Sequence, residues 1–485
     1  MAKTKSAIDD DKLKSIISSQ IADARLYDGK ERSSHRDWAL RFFNGEIDIP
    51  AMGEGRSTFV SKDVADTHGL ILPGLLRVFF ASDRIAVYEP TKEQHEEYAE
   101  SATDLVNYIV RKECDGYRQF RDAFSDALLL GNGIIKHWWD KTPVYKTESY
   151  SGLRDDQYAY ITRPPEVAGK KIEVIEHKEY PDPDWERPEV QPELEQAAQQ
   201  GNPEALAMLA EIQQMQPPML HDFKTKTLKS KGRLALMAVP AEEFLIERSA
   251  KVLDEDVRFC AHVQRVTRSQ LVKEGYDKDK VDEIPLYSNF ERDQERDTRD
   301  NNGFGTDKAP DKSTEYVERY ECYVLMDYDG DGIAERRKIV AAGSGAGTLI
   351  LSNDEWGDDL PFSDIVPDPR AHVWKGQDLY NEVGDVQRIK SIGVRGMLDN
   401  FYEGLNPQRD VVVGAYENMD AVIDRTFGAI LLRNSGFEPL QDYAPVSIAP
   451  NVMPVLDYFD GVVEKRTGIS QRSMALDLDA LQNQS

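Results

Sequence analysis

Residues 377–405 read QDLYNEVGDVQRIKSIGVRGMLDNFYEGL, the longest helical pattern in the chain. At 100° per residue, Leu379, Val383, Val386, Met397 and Phe401 fall on one stripe, while Asp385, Arg388, Arg395 and Asp399 fall on the opposite face. This spacing predicts an amphipathic helix with a charged back. On charge alone, that back is a solvated face carrying i,i+3 and i,i+4 ion pairs worth about a few tenths of a kcal/mol each. Lys390 lies inside the apolar stripe, which predicts a side chain that snorkels or meets a neighbouring subunit or ligand. Two short strand patterns, DVVVG and AILLR, come next, and a second helix runs from about Val452 to Thr467.

On the N-terminal side of the long helix, EYVERYECYVLMD and IAERRKIVAAG alternate as strands around YDGDG, a hairpin signal. Residues 289–315 are almost wholly polar and predict a mobile loop, because they cannot bury enough surface to offset the entropy of ordering. Strand chemistry dominates IIKHWWD, VYKTESY, KIEVIEHKEY and RLALMAV. Between them, residues 181–220 turn to Pro, Gln, Glu and Ala, and predict a helical surface insertion with Asn202 as N-cap and Pro203 as first helical residue. Residues 8–45 read as helices and IAVYEP as a short strand ended by Pro90. Helix signals then run from Glu93 to Leu130 and stop at Gly131-Asn132-Gly133. The class is α+β.

The chain has 485 residues, enough for about three compact units. A composition of 30% charged and 40% apolar residues is that of a folded, soluble protein. Sixty Lys and Arg against 87 Asp and Glu leave a net charge of −27, which argues against a tight grip on nucleic-acid phosphates but allows a surface along which DNA slides. Cys114, Cys260 and Cys322 are far apart, which fits a reducing compartment and excludes a disulfide framework or zinc knuckle. The N-terminus lacks the apolar core of a signal peptide and no window approaches a membrane span, so neither secretion nor membrane association is expected.

DYDGDGIAE, Asp327 to Glu335, shares with calcium loops the acids at positions 1, 3 and 5, namely Asp327, Asp329 and Asp331, and a Gly at position 6. Position 12 is Lys338 rather than a bidentate Glu, and no helices flank the loop. An Asp/Gly hairpin turn is therefore favoured over a divalent-cation site. A calcium-binding enzyme built on these acids is the alternative from another class. No G-x-S-x-G, phosphate loop or H-E-x-x-H occurs, and His137, beside Trp138 and Trp139, reads as a structural histidine. No enzyme and no cofactor is expected.

Several segments resemble the portal proteins of tailed bacteriophages, most closely those of short-tailed phages. They are Gly55-Arg56-Ser57 with FVSKDVADTHGLILPGLLRVFFASD, DALLLGNGIIKHWWD (126–140), Val239 to Asp277 with His262, Thr267 and Gly275-Tyr276, Pro361 to Pro407, and EKRTGIS with LDLDALQNQS. The resemblance implies a mixed α/β wing over 1–375, a first stem helix over 376–405 and a small α/β clip over 406–448. A second stem helix over 449–468 and the start of a tunnel loop over 469–485 follow, with the C-terminal crown of relatives missing or truncated. It also implies a homo-oligomeric ring, usually of twelve copies, at one capsid vertex, assembled in the bacterial cytoplasm and carried in the virion. Double-stranded DNA would pass through it non-specifically during packaging and ejection. The terminase large subunit, adaptor or tail proteins, and the major capsid and scaffolding proteins would be its partners.

In such a conduit, isolated cations would touch the DNA backbone without reading sequence. The candidates are Arg388, Lys390, Arg395, Lys465 and Arg466, and the competing role is intersubunit ion pairing with Asp385, Asp399 or Glu464. DVVVG and AILLR are expected to pair between neighbouring subunits. Another head or tail structural protein, such as an adaptor, is a further alternative that the length disfavours.

Overall fold

The structure, a computed structural model, describes residues 8–469 apart from 48, 50–54, 142–143, 164–171, 184, 186–191, 194–202, 231, 286–294, 300–310, 344–347 and 425–427. The chain divides into two compact units, one of residues 1–137 with 236–485 and one of residues 138–235.

In the larger unit, the first helix, Asp10–Asp28, carries Leu13, Ile17, Ile21 and Ala24 at helical spacing, and this face is buried. It packs on one side of a five-stranded antiparallel sheet, against Leu245, Phe259, Ala261, Tyr320, Cys322 and Ile339. The strand order is Leu349–Glu355, Glu335–Ala342, Tyr316–Met326, Phe259–Thr267, Phe244–Ile246. Alternate residues serve the other side, where Phe244, Ile246, Cys260 and Tyr323 pack with Ile134, Phe362 and Trp374. Both faces are thus covered, and Cys114, Cys260 and Cys322 are buried free thiols.

A polar network crosses this second layer. Lys136 reaches Glu321 Oε2 at 2.5 Å, Lys338 lies 2.8 Å from Glu321 Oε1, and the Tyr323 hydroxyl donates to the same oxygen at 2.6 Å. The His262 side chain is fully buried, 3.6 Å from Glu243. Burial pushes His262 below its ordinary 6.5, more than Glu243 restores. Burial alone would raise Glu321, but Lys136 and Lys338 outweigh it and hold the carboxyl far below its ordinary 4.5. Both groups bind fewer protons folded than unfolded, so their contribution is complete at neutral pH and is lost on acidification. The urea midpoint is expected to fall as pH drops below 6.5 and to fall further below 4.5. His262→Gln should shrink the first step, to which His68 and His137, also lowered by burial, contribute, and leave the second; a midpoint constant between about pH 7 and 4 would contradict the assignment.

A helical layer, Ser34–Asn44, Asp63–Phe80 and Gly116–Leu130, joins the start of Leu379–Leu405 around Leu40, Phe42, Val64, Leu128, Leu129, Leu379 and Val383. Gly131 ends Gly116–Leu130 at φ +89, and a Cβ there would lie 2.7 Å from the Gly376 carbonyl oxygen, so conformation and space both require glycine. The hairpin around YDGDG is present, with Met326 opposite Glu335.

Three expectations are corrected. IAVYEP forms no strand: its backbone is bonded by side chains of the helix Glu96–Tyr108, with Asn107 Oδ1 accepting from the Ile85 and Ala86 amides and Thr103 Oγ1 from Tyr88. DVVVG and AILLR are not strands either. The pairing here is Gln408–Asp410 with Gln441–Tyr443, plus an isolated bridge between Tyr416 and Arg433. Part of the supposed loop over 289–315 is anchored. Residues 295–299 are helical, Glu295 is paired with Arg36, and Arg299 is paired with Glu242 and Asp126. Fixed ion pairs do there what apolar burial could not. Residues 289–294 and 300–310 of that loop lie outside the described residues.

The smaller unit is a three-stranded antiparallel sheet, ordered Val144–Arg154, Met219–Ser230, Ile172–Pro181, with helices Asp155–Thr162 and Pro203–Gln214. The helix starting at Pro203 is the predicted insertion helix, and its expected N-cap, Asn202, lies outside the described residues. Met219–Ser230 was not foreseen as a strand. Tyr158 stacks on His177 and His221, which are hydrogen-bonded to each other at 2.8 Å.

Candidate functional site

The helix Leu379–Leu405, 27 residues long, begins at Asp378, whose carboxylate accepts from the Asn381 amide as an N-cap. Its first half is fixed in the core through Leu379, Val383 and Val386. The remaining attachments are polar and repeat every four residues. Gln387 Oε1 accepts from the Val64 amide at 2.9 Å while its Nε2 donates to the Phe42 carbonyl at 2.8 Å. Ser391 Oγ accepts from the Ser61 amide at 3.0 Å. The Arg395 guanidinium donates to the carbonyls of Phe59 at 2.7 Å, Thr58 at 3.2 Å and Ile49 at 3.3 Å. Asp399 accepts from the Ser57 amide at 2.6 Å, and Glu403 pairs with Arg56 at 2.8 Å.

Positions four apart lie on one ridge of a helix, so residues 56–62 run along that ridge as an extended partner that leads into the helix Asp63–Phe80. This corrects the helix face read from the sequence. Asp399 and Arg395 are not on a solvated back, for Asp399 is buried and Arg395 half-buried, whereas Phe401 of the apolar stripe is 60% exposed.

The helix Ala449–Thr467 returns antiparallel to the long one. Arg466 makes a two-pronged pair with Asp385 at 2.7 and 3.2 Å and donates to the Glu382 carbonyl at 2.7 Å. Hydrogen bonding by Arg466 holds the Asp385 carboxyl below its ordinary value. One turn on, Lys390 bridges Asp63 and Asp460, the latter at 2.6 Å. Burial would lower the Lys390 ammonium, but its hydrogen bonds to Asp460 and Asp63 outweigh burial and raise it. Leu456 and Val452 close on Gly393, and at the far end Asn400 donates to the Val446 carbonyl and accepts from the Ile448 amide.

The cations named from sequence therefore part company. Lys390 and Arg466 tie the two helices together, Arg395 holds main chain, and Arg388, Lys465 and Glu464 stand on exposed surface. Sequence reasoning missed Gln387, Ser391, Asp63 and Asp460. The recurrence of polar residues at 387, 391, 395, 399 and 403 was the signal that could have found the first two. The acids Asp327, Asp329 and Asp331 are bound up in turn formation. Asp327 accepts from the Gly330, Asp331 and Gly332 amides, and Asp331 from Ile333. Asp327, Asp329 and Glu335 bring one carboxylate oxygen each within 4.8 Å of one another.

Outside the core the pair is bare. No residue of Ala449–Thr467 is buried, and Met453, Val455 and Tyr458 are exposed, as are Ile389, Ile392, Tyr402 and Leu405 on the long helix. No helix among the described residues is long and apolar enough to cross a membrane. Surface and charge held in fixed positions are what the helix pair offers.

A family model described as Phage SU10 portal protein matches residues 13–485, and the chain belongs to that family. Portal proteins of phages are structural components of the head-tail connector, not enzymes. No match is found among curated proteins.

Proposed function

We propose that this chain closes into a ring of twelve copies at one capsid vertex and serves as the conduit through which double-stranded DNA is packaged and ejected. The observation that carries the reading is the apolar surface gathered between residues 401 and 458. Val413 is 91% exposed, Val446 87% and Ile430 78%, and no residue of the returning helix is fully buried. Large apolar side chains left this exposed along one segment are the make-up of a surface that associates. Membership of a portal family supports repeated copies of this chain as the associating partner. Head-to-tail contacts close only if the rotation per subunit closes, and stiff paired helices standing side by side fix that rotation.

In this reading the terminase large subunit and adaptor or tail proteins dock at the segment joining the two helices, and the wing meets capsid and scaffolding proteins. The pair Gln408–Asp410 and Gln441–Tyr443, rather than DVVVG and AILLR, supplies edges for strand addition between neighbours. Arg388 and Lys465, both exposed, are the candidate cations to brush DNA phosphates. Their scarcity on so acidic a chain keeps the grip weak enough for sliding. Mass photometry with negative-stain imaging tests the proposal. Annular particles of about twelve times 55.0 kDa are expected, and a chain that stays monomeric at every concentration would refute it.

A further inference from the structure

One cavity has an unexpected lining for a chain of net charge −27. It lies beside the start of the long helix, measures about 350 Å³ and is lined by Tyr27, Arg32, His35, Arg370, Lys375 and Asn381, with no carboxylate in its wall among the described residues. Arg32 sits on the π-helical turn Gly29–Ser33, a geometry common at functional sites. Its guanidinium lies 4.2 Å from the Tyr27 ring and 5.4 Å from that of Trp374, and no described residue takes a hydrogen bond or ion pair from it.

The two acids close by are already engaged. Asp28, whose charge raises Arg32, is paired with Arg36 at 2.7 Å. Asp378 is buried, accepts from the Asn381 amide at 2.9 Å and from His35 at 2.6 Å, and lies 3.5 Å from Lys375. Among the described residues, the Arg370 guanidinium has only a neutral partner, the Gln377 side-chain carbonyl at 3.0 Å. Burial depresses Arg32 and Lys375 below their ordinary values. Asp378 partly restores Lys375, while Arg36 and Arg32 push it down further. These cations crowd one another around an opening that a negative charge would relieve.

We propose that this cavity binds a phosphate-bearing anion, held by Arg32, Arg370 and Lys375 at the positive end of the long helix. The planar fork of arginine matches phosphate oxygens two at a time, and the first turn of a long helix adds a positive partial charge. The volume is at the lower end for small-molecule sites, room for a phosphate or diphosphate with a small attached group. The same chemistry is offered by a free phosphate compound and by a strand of nucleic acid. The site is complete within one chain and does not depend on ring closure.

Isothermal titration of the full chain with pyrophosphate, at constant ionic strength, tests it. Saturable binding is expected, weakened at least about tenfold, the loss of a strong charge-assisted contact, in both Arg32→Gln and Arg370→Gln. Arg370 is exposed, so its variant reads out the site even if removing the stacked Arg32 harms folding. Inorganic phosphate should compete. If short duplex DNA also displaces pyrophosphate, and does so less well in the variants, the anion is a nucleic-acid backbone; if it does not, the anion is a free phosphate compound. Absence of binding, or binding equally strong in both variants, overturns the proposal.

Discussion

Replacing Lys390 with methionine is expected to lower the free energy of unfolding by about 2–4 kcal/mol and to loosen the returning helix. Among the described residues, the ammonium is the sole strong partner of Asp63 apart from the Ser61 hydroxyl, and Asp63 is only 7% exposed. Methionine keeps the aliphatic stem and removes the charge, so the loss reports an uncompensated carboxylate rather than lost packing. The other half of the bridge is cheaper to lose: the Asp460 side chain is 58% exposed, and Asp460→Asn should cost under about 1 kcal/mol. Urea denaturation gives both values, and amide hydrogen exchange across 449–467 should quicken more in Lys390→Met than in Asp460→Asn. Equal losses in the two variants would show that the link to Asp63 carries no weight.

Gln387→Leu should be at least as damaging, at about 2–6 kcal/mol. Gln387 is fully buried and answers two main-chain groups, the Val64 amide at the start of the helix Asp63–Phe80 and the Phe42 carbonyl near the end of Ser34–Asn44. Leucine fits the volume but leaves one donor and one acceptor in the core with nothing to bond, each costing about 1–3 kcal/mol. Ser391→Ala leaves one donor unpaired, the amide of the only partly buried Ser61, and should cost about 1 kcal/mol. Chemical denaturation checks the order of the two, and a Gln387→Leu variant no weaker than Ser391→Ala would show that water replaces the lost partners.

Much of the architecture is legible in local patterns. The long helix announces itself by its period and by Asp378 before it, the hairpin by YDGDG, and the family by blocks such as DALLLGNGIIKHWWD. What misleads is the assumption that a polar residue on a helix faces water. Asp399 and Arg395 meet main-chain atoms of residues some 340 positions earlier, and nothing in a helical wheel records that. IAVYEP has strand propensity, yet Asn107 and Thr103 occupy its hydrogen-bonding groups where a neighbouring strand would otherwise sit. Arg299 lies in a run too polar to bury itself, and it is held only because Glu242 and Asp126 arrive from elsewhere in the chain. Each failure is one of long-range pairing, which propensity scales do not carry.

The four-residue ladder on the long helix also bears on how this protein can diverge. Four of its five rungs grip amides and carbonyls, which every amino acid but proline supplies alike, so the extended segment beneath them is free to drift in side-chain identity while its path stays put. The burden of inheritance falls on the helix. A mutational scan of such a pair should be lopsided, permissive along 57–61 and intolerant at 387 and 399, and relatives could keep one scaffold while repainting the surface that it displays.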